Sequence, residues 1–316
     1  MRIEPYLDQA EDAFNENFKK TTWFESCIFL TEHPAANNYD YRYMMAAREM
    51  VSDPKLAKKS INSMLAEAFL AKKLGWKVEF LTGSLGVYSH VELAEITKKI
   101  AEAYGEKINL NFGAFSRSQL DVLKPFVRCI YGSVDTVNMD VRKRISKDKP
   151  IGPILTMYDD AYGFEKGMTL TIGVGEKDDD ATLLNRFIEN NKIDRITFYP
   201  LDSGDNKFQG PDSLYYAKWI AQTRITFPKL HINAGISPER AAEVGLLLRA
   251  GANSISKFPG IEMFNTEQAR VIEEEAKNAG RKFLGTLTDV ERLDISTEEP
   301  YSDKLNRFIE VMKRSK

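Results

Sequence analysis

Cysteine is nearly absent from this chain of 316 residues: there are two, Cys27 and Cys129, far apart and each inside an apolar, strand-like run. Two sulfurs exclude a disulfide framework and a four-sulfur metal site. They fit buried thiols in a reducing compartment. Histidine is scarce as well, and His33, His90 and His231 show no metal-ligand spacing. Charge of one sign is also lacking. Lys and Arg total 44 against 46 Asp and Glu, so no field argues for nucleic acid or an anionic membrane as partner. The local basic run Arg142-Lys143-Arg144 reads as a solvated helix end. No apolar run approaches the length of a membrane span, and the stretch from Met1 to Pro5 has no signal-peptide profile. A soluble, cytoplasmic protein is expected.

What is present is regular. From residue 27 onward, short runs rich in β-branched and aromatic residues alternate with longer amphipathic stretches. Strands are expected over residues 27–31, 78–82, 108–112, 128–132, 169–172, 195–199, 230–234 and 254–257. Helical patterns cover about 60–74, closed by Gly75, then 91–104, 116–123, 154–162, 181–190, 213–223, 237–250 and 266–279. Ser237 is a cap residue followed by Pro238 at the first helical position. Eight such alternations argue for parallel pairing through right-handed crossovers. The fold class is α/β, as a (β/α)8 barrel or a more open barrel of the same kind; a doubly wound sheet is the alternative. Residues 1–25 read as a leading helical extension across the bottom of the barrel. Residues 26–288 read as the barrel, and 289–316 as an acidic linker and a last helix at 303–313. No internal domain boundary or low-complexity segment is evident.

In such a barrel the site lies at the carboxyl ends of the strands. Those ends are rich in glycine and small polar residues: Thr82-Gly83-Ser84-Leu85-Gly86, Phe112-Gly113-Ala114, Gly132-Ser133-Val134-Asp135-Thr136 and Ile172-Gly173-Val174-Gly175-Glu176. Glycine lets a ligand approach the backbone and permits left-handed torsions. One such turn is ordinary punctuation, whereas four on one face suggest a polar, extended ligand.

These motifs resemble those of the radical-SAM superfamily, in its biotin-synthase-like branch. Val134-Asp135-Thr136, following Ser133, resembles the fourth-strand motif whose carboxylate contacts the ribose hydroxyls of S-adenosylmethionine (SAM). Ile172-Gly173-Val174-Gly175-Glu176 resembles the fifth-strand motif that flanks adenine. Gly83-Ser84 matches the stretch that receives the SAM amino group, without its usual acid, and Tyr41 falls where an aromatic residue lies next to adenine. The stretches 194–201, 220–225 and 250–259 are similar to archaeal radical-SAM proteins of [Fe]-hydrogenase-cofactor maturation, near biotin synthase and methylornithine synthase. The resemblance spans about residues 20–290 and implies a radical-SAM-type partial or complete barrel.

The departure is in the first loop. The family places three thiolates there for one [4Fe–4S] cluster, and this chain has Pro34, Tyr39 and Arg42, or Ala35 in place of Pro34 with a gap one residue shorter. None is a soft sulfur ligand. Cys27 lies upstream, inside the strand. The resemblance therefore implies a radical-SAM fold without its cluster and with no metal. Such a chain would bind SAM or a related nucleoside non-radically, or act as partner of a cluster-bearing paralogue in cofactor biosynthesis. Arg42 is placed to pair with the carboxylate that the iron would have held, or to face solvent. Three other readings stay open, the first an active radical-SAM enzyme if the chain binds a cluster after all. Lys257, at the end of the eighth strand, is a candidate Schiff-base lysine, with Glu176 and Asp135 as acid–base groups of a non-radical barrel enzyme. Aromatic stretches such as 39–43 and 214–216 would suit a structural or regulatory subunit.

Overall fold

The computed structural model describes residues 3–31, 58–83, 88–145, 150–201 and 210–314. Eight parallel strands close on themselves: β1 (Thr21–Phe29), β2 (Lys77–Thr82), β3 (Ile108–Asn111), β4 (Val127–Asp135), β5 (Glu165–Ile172), β6 (Arg195–Pro200), β7 (His231–Gly235) and β8 (Ser254–Ser256). The order runs β2 through β8 to β1, and β1 pairs again with β2, so the ring is complete. The sheet is neither doubly wound nor open. A ninth strand, β9 (Lys282–Leu284), lies parallel to Thr21, Thr22 and Trp23 of β1.

The crossovers are helical because their ends are written into the chain. In helix Ile61–Leu74 the Ser60 side chain accepts from the Ser63 N–H, and Gly75 ends the helix at φ 75°. A Cβ on Gly75 would stand 2.8 Å from the Gly285 backbone, so glycine there serves packing as well as torsion. Helix His90–Tyr104 opens with a reciprocal capping box of Ser89 and Glu92. The segment expected as one helix over 237–250 divides into a 3-10 turn, Pro238–Glu243, and a short helix, Val244–Arg249. Outward-facing strand residues such as Ile130, Met168, Ile196, Phe198, Ile232 and Ile255 pack under the helices in one continuous core.

Helix Glu4–Asn17 packs on helices Ser213–Thr226 and Val244–Arg249. There Phe14 sits over the guanidinium groups of Arg224 and Arg281. Helix Ser302–Arg314 packs on Ile61–Leu74. Two expectations are corrected. The first strand starts at Thr21 rather than residue 27, because β9 supplies a partner for its first three residues, so the stretch preceding the barrel ends at Lys20 rather than residue 25. Of the basic run, Lys143 and Arg144 are exposed in the last turn of helix Met139–Ile145, but Arg142 is 3% exposed and its guanidinium donates to the Val134 carbonyl.

Candidate functional site

Strand side chains alternate between faces, and in this barrel the inward set, apart from Phe80 and Cys129, is polar. It comprises Glu25 and Cys27 on β1, Glu79 on β2, Asn109 and Asn111 on β3, and Tyr131 and Ser133 on β4. Thr169 and Thr171 follow on β5, Arg195, Thr197 and Tyr199 on β6, His231 and Asn233 on β7, and Ser254 and Ser256 on β8. Ordinary barrels of this class fill the interior with branched aliphatic residues. A polar lumen costs desolvation at every group, so its presence marks a site rather than a core. Two glycines make room for its tyrosines. A Cβ on Gly167 would meet the Tyr131 ring at 2.7 Å, and one on Gly235 would meet the Tyr199 ring at 2.4 Å.

Two buried carboxyls organise the lumen. Glu25, 1% exposed, takes four donors on Oε1: Ser254 Oγ at 2.8 Å, Trp23 Nε1 at 2.9 Å, His231 Nε2 at 3.2 Å and Arg195 Nη2 at 3.4 Å. Burial alone would raise its pKa. The Arg195 charge, the His231 hydrogen bond and Ser254 overcome that and hold Glu25 at about 2. His231 is itself pushed down to about 4, first by burial and then by Arg195, so at neutral pH the imidazole is uncharged and donates a hydrogen bond rather than forming an ion pair.

Glu79 is fully buried and differently placed. On β1, Ser26 pairs with Val78 and Cys27 with Phe80, so Glu79 is the extra residue of a β-bulge. The bulge aims both Glu79 and Phe80 inward. Tyr199 OH donates to Glu79 Oε1 at 2.7 Å and Thr197 Oγ1 at 2.9 Å, while Cys27 Sγ donates to Oε2 at 3.1 Å. Burial, and then the nearby Glu25 charge, raise its pKa to about 7 against these three hydrogen bonds. Adjacent strands thus hold one carboxylate firmly ionised and one carboxyl poised near neutrality, the separation that suits acid–base work.

At the mouth, the structure brings four of the expected residues together on the neighbouring strands β4 and β5. Ser133 Oγ donates to Asn111 Oδ1 at 2.7 Å. Asp135 ends β4, 9% exposed, in the left-handed region at φ 61°. Gly173 and Gly175 follow β5, both at φ 101°, and a Cβ on Gly173 would lie 2.7 Å from Pro211 Cδ. Lys257, just past β8, is also left-handed at φ 68°, and its Nζ donates to the Pro200 carbonyl at 3.3 Å. Non-glycine residues in that region are uncommon and concentrate at functional sites. Gly83 follows β2 against the Phe112 ring. Glu176 is corrected: its carboxylate accepts from the Gly173 N–H at 2.7 Å and the Val174 N–H at 2.8 Å, so it closes the β5 loop instead of standing ready as an acid or base. Of the aromatic stretch 214–216, Tyr216 is wholly buried and donates to the Phe198 and Gly235 carbonyls, which makes it core. Tyr41, Ser84, Pro34, Ala35, Tyr39 and Arg42 lie outside the described residues. Among the described residues no group of three or more His, Cys, Asp or Glu side chains is placed to hold a metal ion, and no helix is long and apolar enough to cross a membrane.

Compared with known proteins, the chain is 31% identical to the uncharacterized protein MJ0597 of Methanocaldococcus jannaschii over 329 aligned residues, spanning 99% of this chain and 91% of that one. The chain belongs to the MJ0597 family. No protein-family model matches it. Among solved structures it is similar to methylornithine synthase (PylB), with a TM-score of 0.67 and 16% identity over 92% of this chain and 91% of that one. It is also similar to the FeFe-hydrogenase maturase HydG from Carboxydothermus hydrogenoformans, with a TM-score of 0.65 and 14% identity over 97% and 81%. The MJ0597-family barrel therefore shares its fold with methylornithine synthase and with this hydrogenase maturase.

Sequence reasoning set its candidates at the carboxyl ends of the strands and passed over Glu25, Glu79 and Arg195 in the lumen of this MJ0597-family protein. A usable signal was present: Arg195-Ile196-Thr197-Phe198-Tyr199 and His231-Ile232-Asn233-Ala234 alternate polar with apolar inside strands whose outer faces are covered by helices. Parallel strands buried on both faces usually read as unbroken hydrophobic runs.

Proposed function

We propose that this protein binds SAM or a closely related nucleoside at the carboxyl-end mouth of its barrel and uses it without radical chemistry. The observation that carries the reading is Asp135, a buried carboxylate in left-handed conformation beside the Gly173–Gly175 loop. A carboxylate so held accepts two hydrogen bonds from a vicinal diol. The two glycines leave backbone, rather than side chain, against a flat base. Ser133 and Gly83 complete the same rim, with Tyr41 and Ser84 as the remaining expected contacts.

The donor set on this chain does not suit an iron–sulfur cluster. Clusters are held by thiolates, and of the two cysteines one, Cys129, is 0% exposed with its thiol pushed up by burial. The other, Cys27, lies in β1 with its thiol donating to Glu79. The loop positions that carry ligands in the resembling family are Pro34, Tyr39 and Arg42. No mechanistic step is therefore routed through a cluster. The fold neighbour named as a hydrogenase maturase supports a place in cofactor assembly, with a cluster-bearing paralogue as a heteromeric partner. Calorimetric titration of the full-length protein with SAM tests the binding: a saturable heat that Asp135→Asn diminishes is expected, and no saturable heat would end the proposal. Anaerobic reconstitution with iron and sulfide is expected to give no brown, stoichiometric cluster. Co-purification from the native source tests the partner.

A further inference from the structure

Three observations in the lumen are not used by nucleoside binding at the mouth. First, Cys27 is partly exposed, unlike Cys129, although both point inward from their strands. Second, its thiol is aimed at a carboxyl that pairs with no Lys or Arg among the described residues: the hydrogen-bond partners of Glu79 there are Cys27, Thr197 and Tyr199. Third, the adjoining wall carries polar side chains that are wholly buried and lack partners. Both amide atoms of Asn233 and the Ser256 hydroxyl make no hydrogen bond. Ser256 is in register with Glu25, two residues before Cys27, and Asn233 is in register with Thr197, which holds Glu79. Buried polar groups are nearly always satisfied, and exceptions call for an explanation such as an absent ligand or a catalytic role.

We propose that Cys27 is a nucleophilic thiol on the wall of the barrel lumen, that Glu79 accepts its proton, and that the lumen admits a small, polar, soft carbon electrophile to it. In the step, the sulfur lone pair forms an S–C bond, the leaving group departs with its bonding pair, and the thiol proton passes to Glu79 Oε2. Tyr199 and Thr197 keep the other carboxylate oxygen in place, which makes them positioning residues. Asn233 and Ser256 offer the polar parts of the electrophile a donor and two acceptors. Besides burial, the groups that set the proton affinity of Glu79 are Glu25 and Cys27 from β1 and Thr197 and Tyr199 from β6; Tyr131 from β4, Arg195 from β6 and His231 from β7 line the same lumen. The proposal does not depend on SAM binding at the mouth.

Iodoacetamide is the probe, applied to the full-length protein across about pH 6 to 9, with both cysteines followed by mass spectrometry. Cys27 is expected to be alkylated about tenfold faster than Cys129, the fully buried internal control. Its rate is expected to rise with a midpoint near 7, where Glu79 ionises, and Glu79→Gln is expected to move the rise to the ordinary thiol range of about 8.5. If Glu79→Gln fails to fold, Tyr199→Phe serves instead. Removing that donor weakens the ionised form of Glu79 and moves the midpoint upward. Cys27 reacting no faster than Cys129, or a profile unchanged in the variants, would overturn the proposal. Calorimetry with SAM on the same preparation reads the mouth separately, so either idea can fail alone.

Discussion

Replacing Glu79 by glutamine should make this protein more stable at pH 8 while leaving it nearly unchanged at pH 5. The side chain is fully buried and its pKa is raised from 4.5 to about 7, first by burial and then by the Glu25 charge. The folded state therefore favours the protonated acid. Below 4.5 both folded and unfolded chains hold the proton, and the stability is fully present. Between 4.5 and about 7 the unfolded chain releases a proton that the folded chain keeps, so stability falls as pH rises and levels off above 7. Integrated over that window the loss is about 3 kcal/mol. Glutamine keeps the shape and cannot ionise. Its amide changes the hydrogen bonding with Tyr199, Thr197 and Cys27 by about 1 kcal/mol, a cost independent of pH. The difference between variant and parent should thus swing by about 2.5 kcal/mol between pH 5 and pH 8 in favour of the variant. Urea denaturation at the two pH values measures it. Glu25 titrates in the opposite sense and lower, its stability being lost as pH falls from 4.5 through about 2, so it cancels in this comparison. A swing below about 0.5 kcal/mol would refute the claim that an ionised Glu79 is a strained state of this barrel.

Other perturbations follow from the same geometry. Arg195→Met should cost about 3–5 kcal/mol at neutral pH, because it leaves the Glu25 carboxylate buried without its cation; a denaturation midpoint near that of the parent would contradict it. Asp135→Asn should weaken SAM binding about ten- to a hundredfold in calorimetry by removing charge-assisted hydrogen bonds, with little effect on stability. Gly235→Ala should destabilise the chain by about 1–3 kcal/mol, since its methyl group would overlap the Tyr199 ring and drive the Tyr199 hydroxyl away from Glu79; thermal melts read the loss.

Most of the barrel was legible because its outer face obeys simple rules. Ile130, Met168, Ile196 and Ile232 lie on strands whose outer faces must be apolar, and Ser60, Gly75 and Ser89 mark helix ends by local chemistry alone. What escaped depends on distant partners. Thr21 to Trp23 read as part of the leading helical extension because their strand character comes from β9, more than 250 residues away in sequence. The run Arg142-Lys143-Arg144 read as a solvated helix end, yet Arg142 turns inward and donates to the Val134 carbonyl. Glu176 looked available because the motif does not show that its two oxygens are taken up by the amides of Gly173 and Val174.

The lumen was hidden for a deeper reason. A glutamate in a strand flanked by valine and phenylalanine, as Glu79 is, conflicts with the apolar strand pattern unless the bulge at Ser26 and Cys27 is known, and a bulge is a property of two strands together. The same holds for Glu25, which is tolerable inside the barrel only because Arg195 and His231, 170 and 206 residues further along, arrive at its oxygen. Once the ring closes, the two acids cease to be equivalent: the one that captures the buried cation stays ionised, and its charge makes the other reluctant to ionise. That asymmetry converts a pair of ordinary glutamates into a fixed charge and a proton acceptor, with the Cys27 thiol donating to the acceptor.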